Sequence, residues 1–122
     1  MTQPTDTEAL APLVTDEPMT GDFVSPDYIV HGWDTGSMTL YWSGASSTTA
    51  LLIPEASIDR VHWCKLVSTA QAKKVDDVTG DQMYMFTSFG YKYLRFRFIQ
   101  NSETTGIITA ILWISRPWGR NR

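Results

Sequence analysis

"GYKYLRFRFIQNSETTGIITAILWIS", residues 90–115, is two apolar runs joined by a polar turn. In the first run Leu94, Phe96 and Phe98 alternate with Tyr91, Tyr93, Arg95 and Arg97. Successive strand side chains point to opposite faces, so this period of two marks a strand with a core side and a displayed Tyr/Arg ladder. In the second run Ile108, Ala110, Leu112 and Ile114 take the core side, which leaves Ile107, Thr109, Ile111 and Trp113 pointing outward. A strand apolar on both sides is expected to be buried on both. A small sandwich has little to cover that outer side, so the N-terminal arm or another subunit is expected to do so.

Outward from this pair, the chain from Tyr28 repeats short β-branched and aromatic runs between Gly, Ser, Thr, Asn and Asp clusters. The pattern predicts strands over 28–33, 37–43, 49–54, 60–67, 72–76, 82–87, 91–100 and 106–115, with turns at "DTGS", "SGASST", "DDVTGDQ" and "NSETTG". No segment has a helical period. The expected fold is all-β: a two-sheet antiparallel β-sandwich, jelly-roll-like, over residues 28–115.

The ends differ from the body. Residues 1–27 carry six acidic side chains and no lysine or arginine, while the remainder carries ten basic against seven acidic. Rich in Thr, Pro and Asp and lacking a period, this stretch reads as an extended acidic arm, and 116–122 as a short basic tail. With 122 residues, 43% apolar and 19% charged, the whole reads as one ordered domain with tails. No run approaches the length of a membrane span, and the N-terminus lacks the pattern of a signal peptide.

The chemical readings are few. "SIDRVHWCKL", residues 57–66, sets His62 beside Trp63 and the only cysteine, Cys64. In a strand from Arg60, His62 and Cys64 share a side simply through alternation, and Trp63 is expected in the core. The thiol reads as packed and inert. One cysteine and two separated histidines leave no ligand set for zinc, and Asp76, Asp77 and Asp81 lack the spacing of a calcium loop. Asp59, Asp76, Asp77, Asp81 and Glu103 fall in expected turns, where acids cap and solvate rather than face one another across a cleft. Hence no catalytic residue, metal or cofactor is expected. The ladder Tyr91, Tyr93, Arg95 and Arg97 suits stacking and phosphate contact, but a pI near 5.2 favours protein over nucleic acid. Exposed aromatics among the five tryptophans keep glycan binding open as the alternative.

The spacing Ser57, Asp59, Val61, Trp63, Leu66 resembles the "S-N-D-G-V-N-W-x-x-L" strand of small β-sandwich proteins and domains of bacteriophage virions. "GYKYLRFRFIQNSETTGIITAIL" resembles the companion segment of that group, in matching order and separation. Together they span about residues 38–114. The chain departs from the pattern where Ile58, Arg60 and His62 replace Asn, Gly and Asn. The resemblance implies a structural component of a phage particle, decorating a capsid or belonging to a tail or head appendage, with no catalytic residues to carry over. The expected partners are other virion proteins and further copies of the chain, with no nucleic acid and no membrane, and the expected location is the virion. The expected interface comprises Tyr91, Tyr93, Arg95, Arg97, Ile107, Ile111, Trp113, Arg116 and Trp118.

Overall fold

The computed structural model describes residues 8–47, 49–68 and 72–116, all of them in strands, turns or loops. The strands are β1 (Glu8–Pro18), β2 (Phe23–Val24), β3 (Tyr28–Ile29), β4 (Thr35–Ser43), β5 (Leu51–Ser57), β6 (Cys64–Lys65), β7 (Lys73–Lys74), β8 (Gly80–Phe86), β9 (Tyr93–Ile99) and β10 (Ile107–Ser115). A four-stranded sheet runs β1-β10-β4-β8, and a six-stranded sheet runs β2-β9-β5-β6 with β3 on β9 and β7 on β5. Every pairing is antiparallel. If β2 with β3 and β6 with β7 count as interrupted single strands, the sheets order as first-eighth-third-sixth and second-seventh-fourth-fifth. That is the order of a jelly roll; the all-β two-sheet sandwich is as expected from sequence.

Alternation builds the core. Met38, Leu40 and Trp42 of β4 and Ile108, Ala110, Leu112 and Ile114 of β10 face Leu52 of β5 and Leu94, Phe96 and Phe98 of β9, all buried. Removing each large side chain from water contributes roughly 1.5–3 kcal/mol, so this layer dominates stability. Trp42 Nε1 donates to the Asp77 carbonyl at 3.0 Å, so the buried indole keeps its partner. Gly106 closes the β9–β10 connection at φ +103°, with its α-carbon so near Gly44 and Ser43 that a β-carbon would lie 2.9 Å from the Ser43 carbonyl oxygen.

Residues 8–27 correct the expectation of an arm outside the sandwich. β1 pairs along β10 from Glu8↔Ser115 to Pro18↔Ile107, so the sheet includes residues from Glu8 onward rather than only from near Tyr28. Leu13 is buried, Met19 wholly so, and the Met19 amide donates to the Gly106 carbonyl at 2.9 Å. Pro12 and Pro18 hid this strand, since proline is disfavoured inside strands yet tolerated at an edge, where no ladder donor is lost. Two register shifts, with Asp16 at φ 49°, obscure the period further. The acids settle on the chain's own body: Asp22 accepts from the Gln100 amide at 2.7 Å and Asp27 pairs with Arg60 at 3.2 Å.

The strand expected over 60–67 is mostly a loop, with only Cys64–Lys65 pairing to β5. Nor is β10 the strand buried on both sides. That strand is β5, whose seven residues are all buried. Its outward Leu51 and Ile53 are roofed by Val67, Ala72 and Ile99.

Candidate functional site

On the four-stranded sheet, register places outward residues in rows across the strands. One row is Leu10, Trp113, Ser37 and Met85, and the next is Pro12, Ile111, Thr39 and Met83. Below them Thr109, Tyr41 and Asp81 form a third row, and Ile107 and Ser43 lie last. Met85 is 76% exposed, Leu10 68% and Met83 51%, with Tyr41, Ile107 and Trp113 also exposed. Among the described residues this face carries no lysine or arginine, and its acids stand at the margins: Glu8, whose carboxylate accepts from Trp113 Nε1 at 3.0 Å, Asp16 and Asp81. Grouped exposed apolar side chains on one face of a sheet are the physical signature of a contact surface. At its lower end a groove of about 400 Å³ is lined by Asp16, Tyr41, Trp42, Gly80, Asp81 and Thr109.

The opposite face answers differently. Arg95 and Arg97 send their Nε atoms to the two oxygens of buried Glu55, at 2.8 Å and 2.7 Å. Arg95 also lies 4.0 Å over the Trp63 ring, and Arg60 4.2 Å over Tyr93. The expected displayed ladder is therefore mostly engaged within the chain. Tyr91 leaves it altogether: it precedes β9, packs edge-on to Phe89 and the core, and burial pushes its hydroxyl up to about 12. Trp63 is not in the core as expected; it is half-buried on the outer side, beneath Arg95. Arg116 stacks on Trp33 at 4.2 Å, and Trp118 lies outside the described residues.

The loop after β5 replaces the strand expected from Arg60 with a side-chain-stapled turn. Ser57 Oγ accepts from the Asp59 and Arg60 amides, and Asp59 Oδ1 accepts from the Val61 and His62 amides, all within 3.1 Å. His62 Nδ1 meets Asp59 Oδ2 at 3.0 Å. The His62 ring, then the His62 and Val61 amides, hold the Asp59 carboxyl well below the usual carboxylate range. Arg60 adopts φ 65°, a left-handed conformation, at the position where the resembling phage motif has glycine. The tight turn is thus kept without its glycine. His62 is turned to Asp59, while Cys64, expected to be packed, is exposed, because the segment is mostly loop, beside an apolar cavity of about 390 Å³ lined also by Ile58, Leu66 and Tyr91.

Sequence reasoning missed Glu103. Expected as a solvated turn acid, it is fully buried and accepts from the Ser46 and Ser47 amides and hydroxyls and the Thr105 amide, at 2.6–3.3 Å. Burial alone would raise its carboxyl, but these donors outweigh it and hold the group below its ordinary value. Glu103 thereby ties the β4–β5 loop to the β9–β10 turn. Of the other turn acids, Asp76 pairs with Lys73 at 2.8 Å, Asp77 accepts from the Val78 amide, and Asp81 lies in β8. Among the described residues no group of three or more His, Cys, Asp or Glu side chains gathers where it could hold a metal ion.

No protein-family model and no curated protein matches the sequence. The fold is similar to that of a solved structure, the SPBc2 prophage-derived protein YomS, with a TM-score of 0.56 at 14% identity over 94% of this chain and 97% of that one. At that identity the likeness is one of fold, and it extends over nearly the whole of both chains.

Proposed function

We propose that the chain is a structural subunit of a bacteriophage particle, a capsid-decorating or tail or head appendage protein, that assembles through the outer face of its four-stranded sheet. The observation that carries this reading is the row structure of that face, with Leu10, Trp113, Met83 and Met85 exposed together and no basic side chain among them. Likeness of fold to a prophage-derived protein supports the setting, as does the resemblance of the 57–66 and 90–112 segments to virion sandwiches. The reading gives no catalytic role to Cys64 or His62, so Cys64 is expected to alkylate no faster than free cysteine. The test is particle composition. Particles made by the phage or prophage that encodes the chain should contain it, and Trp113→Arg, folded by circular dichroism, should be lost from them. Particles lacking the wild-type chain would overturn the proposal.

A second reading, carbohydrate binding, is favoured by the groove at the lower end of the same face. Tyr41 offers a ring to stack on a sugar, while Asp16 and Asp81 offer acceptors for hydroxyls. Saccharides of host surfaces should then quench the fluorescence of Trp42, which lines the groove, and Tyr41→Ala should abolish the effect. No response across a glycan panel would dismiss this reading.

A further inference from the structure

The edges of the two sheets are not alike. An edge strand exposes unpaired backbone donors and acceptors, and proteins blunt such edges with short strands, prolines, bulges or charges. β1 carries Pro12, Pro18 and two register shifts. On the six-stranded sheet β2, β3, β6 and β7 are two residues long each. β8, which ends the four-stranded sheet, has none of these devices. Its seven residues, "GDQMYMF", keep an unbroken register with β4, include no proline, lysine or arginine, and carry Asp81 as their one charge. Ladder alternation fixes which of its backbone groups are free. The Met19 amide donates to the Gly106 carbonyl, so even-numbered residues of β10 turn their backbone groups to β1 and odd-numbered ones to β4. Through the pairings Thr109↔Tyr41 and Ile111↔Thr39, odd-numbered residues of β4 answer β10, which turns the even-numbered ones to β8. Their partners there are Gly80, Gln82, Tyr84 and Phe86. Asp81, Met83 and Met85 therefore point their N–H and C=O groups at the open edge. The Met83 carbonyl accepts from the side chain of its neighbour, Gln82 Nε2, at 3.1 Å, and no other partner for these groups occurs among the described residues.

We infer that this edge is a strand-addition site whose occupant is β8 of a second copy, paired antiparallel about a two-fold axis through Met83. The inference concerns the edge of the sheet and does not depend on the assembly face proposed above. In that register Met83 meets Met83 of the partner subunit, Asp81 the partner's Met85 and Gln82 the partner's Tyr84. Opposed residues whose backbone groups face each other exchange both bonds, so every free donor and acceptor of Asp81, Met83 and Met85 is matched in both copies. The strand's charge pattern selects its own copy. Asp81 falls opposite a methionine and not opposite itself, so the self-complementary contact that a two-fold axis requires meets no like-charge repulsion. Side chains of one parity stay on one face, so the outward methionines of the two copies adjoin across the axis. The contact is about 24 Å long and one strand deep, less than the roughly 800 Å² per partner of a standard interface, so the dimer is weak and fills at high concentration.

Sedimentation velocity and residue-resolved amide hydrogen exchange over a range of protein concentration test this. Wild type should dimerise as concentration rises, and the Asp81, Met83 and Met85 amides should then exchange about tenfold more slowly or better. Met83→Lys and Met83→Glu each set like charges opposite one another across the axis, so each should stay monomeric, while an equimolar mixture of the two associates again. Near-ultraviolet circular dichroism establishes that both variants are folded. Wild type that stays monomeric at every concentration overturns the second copy as occupant. A dimer in which the three amides exchange as fast as in the monomer overturns the edge as the contact, and the assembly face is then judged by particle composition. A charged variant that dimerises alone as wild type does overturns the register about Met83.

Discussion

On the six-stranded sheet Leu51, Ile53 and Glu55 point outward and are covered by the chain itself, through Val67, Ala72, Ile99 and two arginines. On the four-stranded sheet Leu10, Met83 and Met85 point outward and stay more than half exposed, with Trp113 partly exposed beside them. Both faces have apolar residues at outward positions, so apolar alternation alone does not say whether a face is finished. The difference lies in the connections. After β5 the chain brings Val67 and Ala72 over its own sheet, whereas β1 closes only the edge of the other sheet.

The largest effect expected concerns the sheet that carries the bare face. If β1 is integral to it, a chain beginning at residue 28 loses Leu13, Met19 and a whole strand ladder, and shows no cooperative unfolding transition in urea. Single large-to-small losses in cores already cost about 2–5 kcal/mol. A shortened chain that melted like the full one would return these residues to the status of an arm and dissolve the contrast.

The next effect belongs to the covered face. Glu55→Ala leaves Arg95 and Arg97 without their shared carboxylate and should cost about 3 kcal/mol in urea unfolding. A smaller loss, about 1–3 kcal/mol, is expected for Glu103→Gln, which leaves the Ser46 and Ser47 donors poorly matched. Because the Glu103 carboxyl is held below its ordinary value in the fold, its contribution is present above the unfolded carboxylate pKa and is lost as pH falls through the folded one. The gap between wild type and Glu103→Gln should therefore narrow on acidification. Smallest of all, Met83→Ser/Met85→Ser on the bare face should shift stability by no more than about 0.5 kcal/mol per site. A large loss there would mean that the chain covers this face after all.

The sandwich and the core of β4, β9 and β10 were legible because period-two runs survive there undiluted; the strand order was not, since it needs β1. β1 was not, since Pro12, Pro18 and two bulges erase the period at an edge where backbone pairing, rather than side-chain pattern, holds the strand. Trp63 and Glu103 were misplaced for a common reason. Each takes its environment from residues distant in sequence: Arg95 stacks on the indole, and Ser46 and Ser47 enclose the carboxylate. Only the assembled fold brings such partners together. The outward set Ile107, Ile111 and Trp113 could be read from alternation, but Leu10, Met83 and Met85 joined it only once the register of β1 and β8 was known.

Methionine oxidation reads whether the bare face is covered on assembly, because the chain carries its own probes on both sides of the four-stranded sheet. Met83 and Met85 stand on the bare face, while Met19 and Met38 are fully buried in the core as internal references. With limiting peroxide, isolated chain should form sulfoxide at Met83 and Met85 and not at Met19 or Met38. In assembled particles Met83 and Met85 should become protected to the level of the core references. Unchanged oxidation of Met83 and Met85 in particles that contain the chain would contradict assembly through that face.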